Sequence, residues 1–211
     1  MTEQSSLMLD PGHAFGLRNR THPFTRENFH LIDQYDFATI DLEPFKCLVI
    51  QEFCDQEFLM QQQDRIKEFL HQGKIVIFCG HLFLNLLPGT FPFVPKTVNS
   101  FRDYFISKES DHEIFEGVLA EEMTFNKGVA GFFARGTHPH AEEVEVLLCL
   151  PGGMPTTYID RLSTNGTIFV HAGKDLFNYH AQNKSTNRIP TQLLQWVHDE
   201  YDRIQGEETN A

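Results

Sequence analysis

The chain has 211 residues, 41% of them hydrophobic, and a formal net charge of −12 with its 11 histidines counted neutral. That length suits a single α/β domain, and twenty phenylalanines against one tryptophan promise a core filled with rings. The acidity argues against binding a nucleic-acid backbone, which relies on Lys and Arg releasing counterions, and no apolar run approaches the roughly 20 residues of a membrane span.

Taken in order, Ser6–Asp10 (SLMLD) predicts a first strand that runs into the loop Pro11-Gly12-His13-Ala14-Phe15-Gly16. Residues 17–25 read as irregular, Glu27–Tyr35 as a short helix and Phe37–Asp41 (FATID) as a second strand, with Glu43-Pro44 as a break. Lys46–Gln51 is rich in branched apolar residues, as a buried strand requires. Asp55 offers an oxygen to cap the helix that follows. Leu59, Ile66, Phe69 and Leu70 recur at helical spacing, and Gly73 is placed for a left-handed stop. Lys74–Phe78 is a second apolar run, ending at Cys79-Gly80-His81. A strand, a helix of about five turns and a strand make a crossover that forces the two strands parallel.

Beyond it, Leu82–Leu87 is apolar, residues 88–97 hold three prolines and form a surface loop, and Asn99–Lys108 predicts a helix. His112–Val118 reads as a turn with two apolar anchors; Gly128–Ala134 and Glu143–Leu150 read as strands. Thr157–Arg161 and Thr167–His171 predict a strand pair around Asn165-Gly166, a hairpin signal. Pro190 opens a last helix whose stripe is Leu193, Val197, Tyr201 and Ile204. No linker interrupts residues 1–205, so one domain is expected, with a polar tail at 206–211. The fold class that follows is α/β: a doubly wound, mostly parallel sheet flanked by helices, flavodoxin-like, with an antiparallel edge extension.

Cys47, Cys54, Cys79 and Cys149 form no Cys-x-x-Cys pair, and three of them lie in or beside apolar runs. Buried reduced thiols in a cytoplasmic protein are therefore expected. No apolar segment follows a basic start, so no signal peptide is expected either.

Three stretches in order carry a family likeness: Phe45–Ile50 with Asp64–Leu82, then His112–Val118, then Tyr158–Arg161 with Gly166–Asp175. Together they span roughly residues 40–180 and resemble the class I glutamine amidotransferase-like superfamily, in a form similar to its trehalose-utilisation (ThuA-like) branch. The resemblance implies a nucleophile at Cys79, on a tight turn after a strand, with His171 as its base. It also implies a Gly-x-Cys-x-Gly elbow. Here Ile77 and His81 occupy the glycine positions, and Gly173 stands where the acidic partner of the histidine belongs, the nearest acid being Asp175.

A doubly wound sheet binds ligands at the carboxyl ends of its strands, which places Asp10, Gly12, His13, Gly80 and His81 with Cys79 and His171 on one rim. His138-Pro139-His140 with Glu142 and Glu143 has the spacing of metal ligands but no second half, so a solvated polar loop is expected. Gly12-x-x-x-Gly16 lacks the Lys-Ser/Thr of a phosphate loop. No metal or cofactor is expected. The departures at the elbow point to a non-catalytic domain that binds or assembles with a protein partner or a second copy of itself. The alternative is an enzyme acting on a small polar ligand through Cys79 or a histidine, with the apolar segment Leu84–Phe93 as partner surface or lid.

Overall fold

The most apolar runs of the chain become strands because burial on both faces suits a parallel sheet. In the computed structural model, which describes residues 4–181 and 183–208, eight strands share one sheet. They are β1 Ser6–Asp10, β2 His30–Asp33, β3 Cys47–Ile50, β4 Ile75–Cys79, β5 Ser107–Lys108, β6 Glu145–Leu150, β7 Met154–Asp160 and β8 Thr167–His171. Their spatial order is β2-β1-β3-β4-β8-β7-β6-β5. The first five are mutually parallel, and β7, β6 and β5 extend the sheet antiparallel from β8.

Alternate residues feed two cores, because successive strand side chains point to opposite faces. Met8, Val49, Ile77 and Phe169 lie on one face, with Leu193, Trp196, Val197 and Ile204 of the final helix. Leu7, Leu48, Phe78 and Val170 lie on the other, with Leu59, Ile66, Phe69 and Leu70 of the crossover. The Asp55 side chain accepts from the Phe58 N–H, and Gly73 adopts φ +68°. The crossover helix breaks at Gln62 into Gln56–Gln61 and Gln63–His71. The final helix, Ile189–Glu208, continues through Gly206, where the sequence had placed a polar tail; residues 209–211 lie outside the described residues.

Four expectations are corrected. The helix at Glu27–Tyr35 is instead a helix at Pro23–Asn28 followed by β2. The His22 ring caps it by accepting from Phe24 N–H, with Pro23 at the first position, so the helix starts earlier. The strand at Phe37–Asp41 is a 3-10 turn, Gln34–Ala38, started by Asp33 accepting from Tyr35 N–H. The helix at Asn99–Lys108 is one 3-10 turn, Phe101–Tyr104, held by a reciprocal Ser100–Asp103 capping box and followed by β5. Gly128–Ala134 contributes only Val129–Ala130, paired with Phe125–Asn126 outside the main sheet. The β7–β8 connection does contain Asn165-Gly166, but the glycine is required for close approach: a Cβ there would stand 2.1 Å from the Lys74 carbonyl oxygen.

Candidate functional site

Because β1, β3, β4 and β8 run the same way, their carboxyl ends form one rim, as the sequence requires. At its centre Cys79 and His171 are register partners, and neither is exposed at all. The His171 ring is held at both nitrogens. Nε2 lies 3.1 Å from the Phe133 carbonyl oxygen, which can only accept, so Nε2 carries the proton. Nδ1 is therefore the acceptor for the Thr157 hydroxyl, at 2.7 Å. Burial lowers the ring's pKa to about 3. Burial, and then the charge of Asp175, raises the Cys79 thiol well above its ordinary range.

The turn after β4 is closed as well. The Gly80 N–H donates to the His171 carbonyl at 3.0 Å. Gly80 has φ +137°, and a Cβ there would sit 3.0 Å from Glu52 Cα. Only glycine satisfies both demands. The N–H that an elbow would offer to an oxyanion is thus spent on the neighbouring strand.

Asp10, Gly12 and His13 end β1 in a separate polar loop on the same rim. Asp10 accepts from Arg20 Nη1 at 3.1 Å and from Gly12 N–H at 2.9 Å. His13 Nδ1 accepts from Gly16 N–H at 3.0 Å, and the ring meets Phe53 edge-on at 5.0 Å. His81 is half-buried and stacks on Phe93, with centroids 3.7 Å apart. Burial, then the Arg135 charge, lowers its pKa.

Gly80 and His81 line a cleft of about 1030 Å³; Cys79 and His171 lie beneath it. Its walls are residues 52–57 after β3, Gly80, His81, Phe83 and Leu84 after β4, Gly173, Lys174 and Asn178 after β8, and an arm contributing Asn126 and residues 131–135. The arm is pinned by a bridge between Ala134 and Gly173. The segment after β4 is pinned by Gln56, whose Nε2 donates to His81 O at 2.7 Å and whose Oε1 accepts from Phe83 N–H at 2.7 Å.

The sequence reading missed the groups that dominate this cleft. Glu52 lines it, and burial raises its pKa against the opposing influence of Lys174 and the Asp175 N–H. Behind it Asp175 is fully buried and accepts from Asn19 Nδ2, Asn178 Nδ2 and Phe177 N–H at 3.0–3.2 Å. Burial pushes Asp175 up to about 7, with Phe177 opposing and Glu52 adding. Phe53, Phe83 and Phe132 are 68%, 69% and 50% exposed at the cleft. The strand-end rule that selected His81 applies equally to Glu52 and Phe53, which follow the end of β3 after Gln51.

His138-Pro-His140 is not the solvated polar loop expected. His138 is fully buried, and its Nε2 accepts from Leu82 N–H at 2.9 Å. Burial, then His81 and His171, brings its pKa down to about 3. His140 is half-buried against the Tyr158 ring, with Nδ1 2.8 Å from Glu142 O. No group of three metal-ligating side chains gathers among the described residues. Within Leu84–Phe93, Leu86 and Leu87 are core residues and Phe91 is exposed.

No protein-family model and no curated protein sequence matches the chain. Solved structures do share its fold. The cytoplasmic protein STM1381 from Salmonella typhimurium LT2 superposes with a TM-score of 0.55 at 11% identity, over 92% of this chain and 98% of that one. A β-galactosidase from Rahnella sp. R3 gives 0.52 at 12% identity, over 93% of this chain but 31% of that one, so the chain spans about a third of its length. PurLQS from Thermotoga maritima gives 0.49 at 11% identity, over 91% and 98%. At such identities the likeness is one of fold alone, an α/β flavodoxin-like sheet.

Proposed function

We propose that this chain is a non-catalytic amidotransferase-like domain, nearest in kind to the ThuA-like branch, that serves as a binding or assembly subunit of a cytoplasmic protein complex. The observation that carries this reading is the closed turn after β4. Gly80 N–H is bonded to His171 O, both His171 nitrogens are engaged, and Cys79 is buried with a raised pKa. A thiol nucleophile needs the opposite on each count: a lowered pKa, a free base and an open oxyanion donor. Asp10, Gly12 and His13 serve this reading as the loop that supports Phe53, while Gly80 and His81 belong to the binding cleft itself.

A second reading, an enzyme acting on a small polar molecule at the same rim, draws support from the volume of the cleft and from the raised Glu52 and Asp175 carboxyls. The two separate in one assay. Incubation of the purified chain with glutamine is expected to release no ammonia above background, and Cys79→Ala is expected to change neither fold nor assembly. Ammonia release abolished by Cys79→Ala would overturn the proposal.

A further inference from the structure

We propose that the cleft at the carboxyl rim is a receptor for an arginine side chain of a partner protein, with Glu52 as its counter-ion and Phe53, Phe83 and Phe132 as its walls. The inference deepens the binding-subunit reading and rests on it.

Glu52 lines the cleft and enters no salt bridge among the described residues. A half-buried carboxylate in that position gains most from a cation that arrives with a ligand. Three other charged groups nearby are already engaged. Asp55 caps Phe58 and accepts from the Tyr35 hydroxyl. Arg135 Nε is bound to Gly131 O at 2.6 Å, with the guanidinium 6.0 Å from the Tyr104 ring. The Lys174 ammonium stands 5.4 Å from the Tyr179 ring centroid, and offsets Glu52 only in part. Glu57 adds to the negative side of the cleft.

The walls supply the second half of the argument. Three phenylalanine rings, each at least half exposed, border one cleft. Phe53 holds φ +65°, a backbone state that a bulky side chain avoids, and its ring is thereby turned out to the cleft. Strain and exposed rings together mark a surface kept for contact. A planar guanidinium stacks on aromatic faces and bonds a carboxylate through two N–H groups, which a compact ammonium does not do as well. The net charge of −12 favours the approach of a basic partner to the molecule. The cleft also accommodates the aliphatic stem and flanking residues of a peptide, well beyond the size of a free small cation.

The test titrates the intact chain, followed by NMR of the His81 and phenylalanine rings, with three probes: a blocked alanine-rich pentapeptide with a central arginine, the same peptide with citrulline, and free agmatine. The arginine peptide is expected to shift those rings and to bind about tenfold more tightly than either other probe. Glu52→Gln and, separately, Phe83→Ala are each expected to weaken it about tenfold. Equal binding of the arginine and citrulline peptides, no binding by either, or indifference to Glu52→Gln overturns the proposal; agmatine binding as tightly as the peptide overturns the partner-protein source. A null titration with Cys79 still inert refutes this inference alone, whereas ammonia release that depends on Cys79 refutes the reading beneath it.

Discussion

Phe53 carries a clear local backbone cost. A non-glycine residue in the left-handed region is held there at about 1–3 kcal/mol, and its ring is mostly in solvent. Replacing it with glycine relieves the strain, against a loss of about 0.5–1 kcal/mol from the freer unfolded chain and the edge contact with His13. Phe53→Gly is therefore expected to leave stability unchanged or raise it by about 1 kcal/mol, while weakening ligand binding. Denaturant unfolding measures the first and titration the second; a clear destabilisation would show that the ring is structural. Nothing in the letters Glu52-Phe53 announces a left-handed backbone, so this residue was illegible. Cys79-Gly80-His81, by contrast, was legible, because an apolar run that ends in polar residues marks a strand end.

The buried histidines set a pH dependence at the same scale. His138 and His171 stay neutral in the folded state down to about 3, whereas their ordinary value is 6.5. The unfolded chain thus binds more protons below pH 6.5, and stability, complete above that value, is lost as pH falls toward 3. Each contributes a slope of about 1.4 kcal/mol per pH unit at most. His81 adds in the same direction. Asp175, raised from 3.8 to about 7, and Glu52 subtract, because the folded state holds their protons more tightly. Unfolding measured between pH 6 and 5 is expected to show a net loss of about 1 kcal/mol per unit of acidification. His138→Gln is expected to flatten it. A slope that His138→Gln leaves intact would contradict this.

At the scale of elements, the cleft depends on Gln56, the first residue of the crossover helix. One side chain ties the carbonyl of His81 and the N–H groups of Phe83 and Leu84, the last at 3.3 Å. Gln56→Ala orphans all three, at a cost of about 1–3 kcal/mol, and is expected to accelerate amide exchange at Phe83 and Leu84 while the β4 amides stay protected. Unchanged exchange there would mean that the segment is held by its packing alone. The strands β1, β3, β4, β6 and β8 were readable because each is an apolar run, and β7 was placed, from Thr157 onward, by the hairpin signal Asn165-Gly166. β2 was not: it lies at the sheet edge, with His30 and Asp33 exposed, and its alternation spans only four residues. The helix before it was misplaced because a histidine, rather than Ser, Thr, Asp or Asn, provides the cap. The arm that closes the cleft reaches β8 through the long-range Ala134–Gly173 bridge, which no local pattern records. A Cβ on Gly173 would lie 1.9 Å from Phe133 O, so the glycine that replaces the expected acidic partner of His171 is the one that lets the arm dock.

For the molecule as a whole, five parallel strands bring one rim together and three antiparallel strands extend the sheet away from it. The same architecture that would serve a thiol enzyme here covers the thiol and leaves a cleft lined by aromatic rings and by charges of both signs. Both functional proposals depend on that covering. Its most direct test is the alkylation of Cys79 by iodoacetamide, followed by peptide mass mapping across a denaturant series at several pH values. The account predicts that Cys79 reacts only as fast as the chain unfolds, at every pH from 6 to 9. Rapid, complete alkylation of the folded chain, levelling off near neutral pH as a low-pKa thiolate would, contradicts it.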